Sequence, residues 1–579
     1  MALGAALRSA SAQEAPKPGT AARADTATKA DTAATADTAA SLRCDGLVVS
    51  EVDVRSRRPT FRGNLARWRR VARALGLHHT TTRPAIVRRF VTLGPDGACS
   101  EFRRAESERI LRAQPYLSSA RVRTVDDGAG GARVEVETVD EAPALIGGRL
   151  RHGQVAEISL GNENLFGRAV RAEAFAENGF AYRDGAGLSV THHQLFGRPY
   201  TLTLLGEQRP VGDEWRVEAG HSFLTDLQRV AWHAGGTGRH DYLSLRRRED
   251  TELALPAHFG RWDAGGVLRF GRPGSRLGLV GGVLAGERVT TTPPVLVTDS
   301  GFVTPDDSLT RDYPSFTATR LSFVTGFRQL RFKQARGLDA LTAVQDIARG
   351  MQLGLIVGRA LHALGSDEDD LLVSADLFGG IGGPWSYAAL RLEGEARRPL
   401  GVARWDGVIG SGRMAWYLKE SSRLTLILGA EGAGAWNARL PVSLTLADRD
   451  VVRGLPRDVA AVGARRLVLR AEQRWASGGV KQGDLGLAAF VDAGRLWAGE
   501  LPLGQEARAA SLGMSLLAAL PRGSHRLWRV DVAVPVHGAP SRVQVNLVSE
   551  VRTRLFWQEP EKISRARSSS GLAQIFSWP

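Results

Sequence analysis

The chain has 579 residues, of which 43% are hydrophobic and 24% are charged, with 66 Gly and only 4 Met. This length predicts two units, or one large barrel with an accessory domain. No segment approaches the roughly 18 to 20 consecutive apolar residues of a transmembrane helix, which argues against a helical membrane protein. Abundant Gly favours strands and turns, and a membrane barrel is compatible because its strands are apolar on one face only.

The formal net charge of +15 raises the alternative of a nucleic-acid partner. The basic residues are nearly all Arg and are spread along the chain, without a block of like charges, a zinc-finger spacing or a phosphate-binding loop. Arginines that line a barrel lumen or face anionic lipid headgroups account for the charge equally well. We therefore expect no nucleic-acid partner.

The N-terminal 44 residues divide into two segments. Residues 1–12 end in Ser-Ala-Ser-Ala, which is typical of a signal-peptidase site, but the apolar stretch before it is too short for a complete export signal. We expect a signal-peptide remnant, with the true start of the protein upstream. Residues 13–44 are predicted to be a flexible linker, because the low-complexity tract 13–40 contains no large apolar residue to bury.

Residues 45–141 show the periodicities of a small βααββ domain. Apolar residues alternate in three segments, and in two others they repeat at helical spacing. A loop rich in Asp and Gly at 126–131 predicts a hairpin between the last two strands. The predicted elements are a strand near 47–54, helices over 64–76 and 100–113, and strands over 120–125 and 133–139.

Cys44 and Cys99 are the two cysteines of the chain. In an oxidising compartment they can form one disulfide bond, and two unpaired, buried thiols are the alternative. The residues alone leave both open. Their spacing excludes a Cys-x-x-Cys metal or redox motif.

From about residue 150 to 556 the helical period is absent, and apolar residues alternate with small or polar ones. At about 25 residues per strand and connection, this region accommodates about 16 strands, an even number that permits antiparallel closure. A soluble β-propeller is the alternative, but it would show repeats of blade length, whereas the one internal echo is Leu-Phe-Gly-Arg at 165–168 and 195–198. We predict a mainly β transmembrane barrel behind one α+β domain, with a polar C-terminal tail at 557–579.

Two acidic residues are expected to face the lumen of this barrel. Apolar residues alternate with polar ones in the strands around Glu472 and Asp492, so both carboxylates point inward if the apolar faces meet lipid. Two carboxylates in a confined space repel each other unless a cation lies between them. Arg453, in the long connection 430–464, can satisfy both through the forked hydrogen bonds of its guanidinium.

Four motifs follow one another in a characteristic order. A Gly-Asn-x-Asn-Leu-Phe-Gly-Arg segment opens the barrel, Val-Arg-Gly occupies 452–454, a strand Glu stands at 472, and Phe-Val-Asp-Ala-Gly occupies 490–494. This order resembles the BamA/TamA/two-partner-secretion superfamily, also called the bacterial surface antigen family. Residues 45–141 resemble its POTRA domain. The residues of the first motif are Gly161, Asn162, Asn164, Leu165, Phe166 and Gly167.

The resemblance implies that Arg453 and Gly454 belong to a loop held inside the barrel, with Glu472 and Asp492 as its partners on the wall. The alternative is a surface-loop Arg and two scattered lumen acids. Leu455 departs from the family, which usually has an aromatic residue there. The polar tail is a second departure, because many relatives end on an aromatic closing strand.

No arrangement of residues predicts catalysis. The 12 His are scattered, and neither His-His pair has Cys or acidic partners at metal-ligand spacing. The Gly-rich segment 429–434 is expected to close a strand, which argues against a phosphate-binding loop. Ser and carboxylates occur without the context of a nucleophile elbow or triad. We expect no enzymatic activity, no metal and no cofactor.

The resemblance implies a protein insertase or translocase of the bacterial outer membrane, with its N-terminal domain in the periplasm. Unfolded outer-membrane or secreted proteins would be its clients, received at the edge of the POTRA-like sheet by β-augmentation. Outer-membrane lipid and periplasmic or inner-membrane accessory proteins would be its other partners. The alternative is a passive channel or a receptor-like barrel, which predicts neither a periplasmic adaptor nor a loop held in the lumen.

Overall fold

The computed structural model describes residues 43–59, 80–151, 154–178, 183–248, 251–306, 312–447, 451–456, 461–480, 483–551, 559–569 and 571. These residues form a three-stranded sheet with two helices, then a closed antiparallel barrel, and a further short helix. The mainly β architecture and the large antiparallel barrel expected from the alternation are confirmed.

Residues 43–141, which we call the front domain, contain the three-stranded sheet. Strand β1 (Val49–Arg57) pairs in parallel with β3 (Ala132–Asp140), which pairs antiparallel with β2 (Leu117–Asp126). The helices α1 (Pro84–Arg88) and α2 (Glu101–Arg112) lie between β1 and β2 in the chain. The strand order is therefore β1-β3-β2.

Four of the elements expected in the front domain have counterparts in the structure. The expected strands near 47–54, over 120–125 and over 133–139 fall on β1, β2 and β3, and the expected second helix falls on α2. The first expected helix, 64–76, lies outside the described residues. The short helix α1 was not expected, although Pro84 at its first turn is a common helix-opening signal.

One apolar core holds the sheet and helices of the front domain together. Val122, Val134 and Val136 alternate on the inner face of the sheet and pack with Ile110 and Leu111 of α2. Burial of each such side chain stabilises the fold by about 1.5 to 3 kcal/mol. Cys44 and Cys99 lie in the same core and form a disulfide bond. Of the two alternatives left open by the sequence, the structure therefore has the disulfide and not the free thiols.

Reduction of the Cys44–Cys99 bond is expected to destabilise the front domain by about 4 kcal/mol. The bond joins residues separated by 55 positions and so restricts the unfolded chain. Hydrogen exchange measures this: amides of β2 and β3 should lose protection on reduction or in Cys99→Ser, while barrel amides serve as the internal control. Equal protection in oxidised and reduced protein would contradict the expectation.

The barrel follows the front domain directly, and each strand pairs antiparallel with its neighbour in the chain. A short hairpin, β13 and β14, extends from it, while β12 pairs directly with β15. Pairing between β25 and β4 closes the ring. The strands are β4 (Ala144–Arg151), β5 (Gln154–Asn162), β6 (Val170–Glu177), β7 (Gly185–His192), β8 (Thr201–Gln208), β9 (Asp213–His221), β10 (Val230–Arg247), β11 (Thr251–Phe270), β12 (Leu277–Thr291), β13 (Val295–Thr298), β14 (Val303–Pro305), β15 (Phe316–Arg336), β16 (Val344–Ala360), β17 (Asp370–Gly382), β18 (Ser386–Pro399), β19 (Asp406–Lys419), β20 (Leu424–Trp436), β21 (Arg465–Val480), β22 (Gly483–Trp497), β23 (Ala507–Ala519), β24 (Arg526–His537) and β25 (Gln544–Val551).

The number of strands differs from the expectation. In the described part of the chain the barrel has about 20 strands, so the expected number of about 16 is too low. The expected spacing of about 25 residues fits long strands such as β10 and β11, but β4 to β9 are only 8 or 9 residues long and follow one another closely. The count stays even, as antiparallel closure requires.

Two boundaries also differ. The barrel begins at Ala144 rather than at 150, while the expected end at 556 lies outside the described residues, whose last barrel strand ends at Val551. Strand β20 continues to Trp436, so the long connection before β21 begins at 437 rather than at 430. The Gly-rich segment 429–434 does not end the strand, because its backbone pairs with both β19 and β21.

Side chains along the barrel strands alternate between two environments. Outward positions carry exposed apolar residues, whereas inward positions carry buried polar and charged residues. An apolar exterior around a polar lumen is the arrangement of a barrel in lipid and the reverse of a soluble barrel. Outward residues of four neighbouring strands near the site described below are Met414, Trp416, Trp436, Leu467, Leu469, Trp475, Leu485, Leu487 and Val491.

Candidate functional site

Within the long connection between β20 and β21, the described residues 437–447, 451–456 and 461–464 fold into the barrel instead of extending away from it. They form a small antiparallel bridge between Leu444 and Gly463. Apolar side chains of this inward loop pack against inward residues of the wall. The buried loop residues of this cluster are Val442, Leu444, Leu446, Ala447, Val451, Val452 and Leu455, and their wall partners include Ile409, Ala433, Val468 and Leu496.

Arg453 lies in this loop and binds two wall carboxylates. Its Nε and Nη2 atoms donate to Asp492 Oδ2 and Oδ1, both at 2.6 Å, and its backbone N–H donates to Oδ2 at 3.1 Å. Its Nη1 donates to Glu472 Oε2 at 2.5 Å. The guanidinium is only 7% exposed. It is therefore fixed by a forked pair on one acid and a single bond to the other.

The register of the two wall strands brings these acids together. Glu472 of β21 pairs with Phe490 of β22, and Arg470 pairs with Asp492, so the two acids are diagonal neighbours on the inner face. Between them, the ring of Phe490 lies under the guanidinium of Arg453, with its centroid 3.6 Å from Cζ. The ring contributes a cation–π contact that the sequence did not assign.

Gly454 follows Arg453 in a conformation that suits glycine alone. Its φ is +81°, and a Cβ at this position would lie 2.5 Å from the Cβ of Ala533 on β24. The loop backbone thus touches the barrel wall directly. Leu455, where an aromatic residue was expected from the family, is buried in the apolar cluster of the loop.

Glu472 has two further arginine partners that were not predicted. Arg474 Nε donates to its Oε1 at 2.5 Å, and Arg529 Nη1 lies 3.0 Å from Oε2. Arg529 also donates to the Ser515 hydroxyl at 2.7 Å and to Asp531. Alternation along their strands predicts that both arginines point inward. The contact of Arg529 in β24 with Glu472 in β21 could not be predicted, because these strands are not neighbours. The site is a buried network in which acids and guanidiniums alternate.

The motif that opens the barrel forms the turn between β5 and β6 and contacts the front domain. The Asn162 side chain accepts from the Asn164 backbone at 2.8 Å, and Asn164 Oδ1 accepts from Ala169 N at 2.7 Å. Gly167, at φ +65°, has no room for a side chain, because a Cβ would lie 2.3 Å from the carbonyl oxygen of Thr81. This turn is thus built around the front domain.

The remaining residues of this motif have separate roles. Gly161 lies in β5, where a Cβ would meet the carbonyl of Ala172 at 2.2 Å. Leu165 begins the turn, and Phe166 is exposed. The echo at 195–198 forms an equivalent turn at the same end of the barrel, with Phe196 also exposed.

A chain of hydrogen bonds links this turn to a buried acid of the front domain. Asn164 Nδ2 donates to Thr82 Oγ1 at 2.7 Å, and Thr82 Oγ1 donates to Asp140 Oδ1 at 2.7 Å. The Thr82 backbone N–H donates to Asp140 Oδ2 at 2.9 Å. Burial nevertheless raises the pKa of Asp140 from its ordinary value to about 6.

We expect Asp140 to be largely protonated at pH 5 in the folded protein. Because its folded pKa lies above the unfolded value, the folded state holds this proton longer, and stability from this group falls as pH rises from about 4 to 6. Infrared difference spectra against Asp140→Asn measure the protonated carboxyl band. A band that is absent at pH 5 would contradict the raised pKa.

The front domain contacts turns around the mouth of the barrel. Arg112 of α2 makes a forked pair with Asp346 of β16, at 2.8 and 2.9 Å. Glu141 accepts from the Ser524 hydroxyl in the turn between β23 and β24 at 2.8 Å. Together with Asn164, these contacts reach three separate parts of the rim. The front domain therefore lies across this end of the barrel, and the inward loop enters from the other end.

Within the described residues, none of the helices is long and apolar enough to cross a membrane. Nor do the described residues hold a group of three or more His, Cys, Asp or Glu side chains that could bind a metal ion.

Fold and site together define a class of protein: a large β-barrel with an apolar exterior, a loop fixed inside its lumen and a small α+β domain at one mouth. No protein-family model matches the chain, and no curated protein sequence matches it. Among solved structures, the chain is similar to BamA from Haemophilus ducreyi lacking POTRA domains 1–3. The identity is 11%, the TM-score is 0.38, and the match covers 87% of this chain and 84% of that one.

The chain is also similar to two CdiB structures. For CdiB from Escherichia coli the identity is 12%, the TM-score is 0.42, and the match covers 90% of this chain and 94% of that one. For CdiB from Acinetobacter baumannii the values are 8%, 0.41, 87% and 74%. At these TM-scores, function has to rest on the contacts of this chain itself.

Proposed function

We propose that this protein is an outer-membrane barrel that receives client polypeptides on its front domain and inserts or exports them. The observation that carries the proposal is the front domain lying across the mouth while the lumen holds a fixed loop. A passive channel requires an open lumen and has no use for a domain over its mouth. The apolar exterior supports an outer-membrane location, with the front domain on the periplasmic side.

The sheet of the front domain supplies a place for an unfolded client. Within the described residues, β1 pairs with β3 on one side; on its other side the backbone of Val49 bonds to Asp96 and Gly97, and no strand pairs with residues 51–57. A client segment in extended conformation can add to such an edge through backbone hydrogen bonds, with little demand on its sequence. The POTRA-like assignment of this domain rests on the same arrangement and is part of the proposal.

The seam of the barrel supplies an exit toward the membrane. Pairing between β25 and β4, with Leu547 opposite Leu150, forms this seam. Both seam strands are 8 residues long. Since ladder bonds must break before the wall opens, a short seam lowers the cost of opening. Because β3 leads directly into β4, the front domain delivers a client close to this seam.

The seam also lies among the shortest strands of the barrel. Strands β4 to β9 have 8 or 9 residues, while β10 has 18 and β15 has 21. At about 3.3 Å per residue, 8 residues have a contour of about 26 Å before tilting, close to the minimum for crossing a bilayer. A barrel that only conducts solutes gains nothing from this asymmetry, whereas an insertase can use a thin region of bilayer beside its seam.

Crosslinking the seam tests the proposal. Leu150→Cys/Leu547→Cys places two cysteines at paired backbone positions of β4 and β25. We expect the oxidised variant to lower the amounts of other outer-membrane or secreted proteins, and reductant to restore them. Val530→Cys/Leu547→Cys, which links β24 to β25 away from the seam, is the matched control. The unmodified protein with and without reductant controls for the native disulfide.

Depletion of the protein separates this proposal from the passive channel. Client levels should fall while uptake of small solutes stays unchanged. If other outer-membrane and secreted proteins keep normal levels and solute uptake falls, the barrel is a channel and the proposal is wrong.

A further inference from the structure

Residues 559–569, which follow the last described barrel strand, lie inside the lumen, and we call them the lumen tail. They include the helix α3 (Glu561–Ala566). Ile563 of α3 is fully buried in the apolar cluster of the inward loop. From composition this segment was expected only to be a polar tail, so its position is a feature of the tertiary structure.

One side of the lumen tail binds the wall at β9 to β11. Arg565 Nη2 lies 3.2 Å from Glu214 Oε2 of β9. Arg261 of β11 donates through Nη1 to the carbonyl oxygens of Arg565 and Arg567, at 2.9 and 3.1 Å. The tail is thus recognised here through its basic side chain and through its backbone.

The other side of the lumen tail binds β12, β17 and β18. The backbone N–H groups of Ser568 and Ser569 donate to the two carboxylate oxygens of Glu395, at 3.0 and 2.8 Å. The Ser568 hydroxyl donates to Glu287 at 2.9 Å, and the Ser569 hydroxyl lies 2.8 Å from that of Ser374. Carboxylates on the wall therefore bind successive N–H and hydroxyl groups of an extended segment.

These contacts cross the lumen. Strands β9 to β12 and strands β17 and β18 belong to different arcs of the ring, and the same short segment bonds to both. The inward loop lies beside the tail, and a cavity of about 90 Å³ is left between them. Within the described residues, both segments therefore occupy the lumen, and the tail is held by an ion pair and hydrogen bonds to wall acids.

We propose that Glu214, Glu287 and Glu395 form a binding site in the lumen for a basic, serine-containing polypeptide segment, which the lumen tail occupies as a removable internal ligand. Guanidinium, hydroxyl and backbone N–H groups are hydrogen-bond donors, and the carboxylates of the site accept from them. An acidic segment would be repelled by these carboxylates, and an apolar one would leave them without donors, so neither would bind. Departure of the tail opens the lumen, and a segment of the same chemistry closes it again. That a client supplies such a segment rests on the proposed function; closure by the tail does not.

A disulfide lock tests the closure. Because the hydroxyl oxygens of Ser374 and Ser569 are 2.8 Å apart, Ser374→Cys/Ser569→Cys places two sulfur atoms within bonding reach. In planar bilayers we expect the oxidised variant to stay in its low-conductance state and reductant to release transient openings. The single variants and the unmodified protein, with and without reductant, are the controls. Equal conductance in the oxidised and reduced double variant would overturn the closure.

Charge reversal in the tail tests recognition. Arg565→Glu is expected to raise the mean conductance about tenfold, because its ion pair with Glu214 of the wall is replaced by repulsion and the closed state loses its population. Arg272→Glu, in the exposed turn between β11 and β12, is the matched control and should conduct like the unmodified protein. Heat-modifiable migration in gels verifies that each barrel is folded. A charge-reversed variant that is folded and stays closed would contradict the proposal.

A synthetic peptide tests the ligand class on the same opened variant. The peptide with the sequence of residues 559–571 should block the raised conductance, and a copy with both Arg replaced by Glu should not. Equal block by the two peptides would show that the site does not select basic segments. These readouts use purified protein without a client, so they fail independently of the insertase proposal.

Discussion

Arg453→Ala is expected to lower the unfolding free energy of the barrel by about 3 to 5 kcal/mol, the cost of breaking a buried ion pair on one side. The decisive partner is Asp492, which is fully buried and receives three hydrogen bonds from Arg453. Without the guanidinium its charge is left inside the barrel with two of those three bonds lost. Glu472 loses less, because Arg474 and Arg529 still contact it.

A double-mutant cycle separates the ion pair from general damage. Arg453→Ala/Asp492→Asn removes the uncompensated charge, so it should recover much of the loss seen in Arg453→Ala. Arg453→Lys keeps the charge but not the forked hydrogen bonds, so its stability should lie between that of Arg453→Ala and that of the double variant. The temperature at which the folded band disappears in heat-modifiability gels measures all of them.

The same series tests function. If the pair fixes the inward loop for client handling, Arg453→Ala should reduce client levels while the barrel is still inserted, and the double variant should recover stability more than activity. An Arg453→Ala protein with unchanged melting and unchanged client levels would show that the buried guanidinium has no such role.

Gly454→Ala is expected to displace the inward loop, with a cost of about 2 to 4 kcal/mol. Two causes add: the left-handed backbone at φ +81° disfavours any side chain, and the new methyl would lie 2.5 Å from the Ala533 Cβ. Neither group has a flexible end that can move away. The loop backbone must shift, and the Arg453 contacts shift with it.

Gly365→Ala is the matched control for the backbone effect. Gly365 has nearly the same φ, +85°, but nothing lies within 4 Å of its Cβ position, so this change should cost only about 1 kcal/mol. Gly454→Ala/Ala533→Gly removes the clash, so its loss of unfolding free energy should be similar to that of Gly365→Ala. Protease sensitivity of the inward loop, together with melting, distinguishes the three. Equal effects of Gly454→Ala and Gly365→Ala would mean that the wall does not confine the loop.

The sequence by itself determined the side-chain parity of the barrel. Alternation has a period of two residues and is set by neighbouring positions in one strand, so the inward placement of Glu472 and Asp492 was readable without any contact map. The motif order then pointed to Arg453 as the residue between them. The first expectation depends only on neighbouring residues in a strand, and the second only on the order of motifs along the chain.

The tertiary structure alone decided how far-apart segments meet. The strand number changed because β4 to β9 are short, and strand length follows from pairing with neighbours rather than from alternation. Arg529 reaches Glu472 from a strand 57 positions away in the chain. The lumen tail showed no pattern at all, since Ser568 and Ser569 become ligands of Glu287 and Glu395 only once the barrel closes and brings distant strands around them.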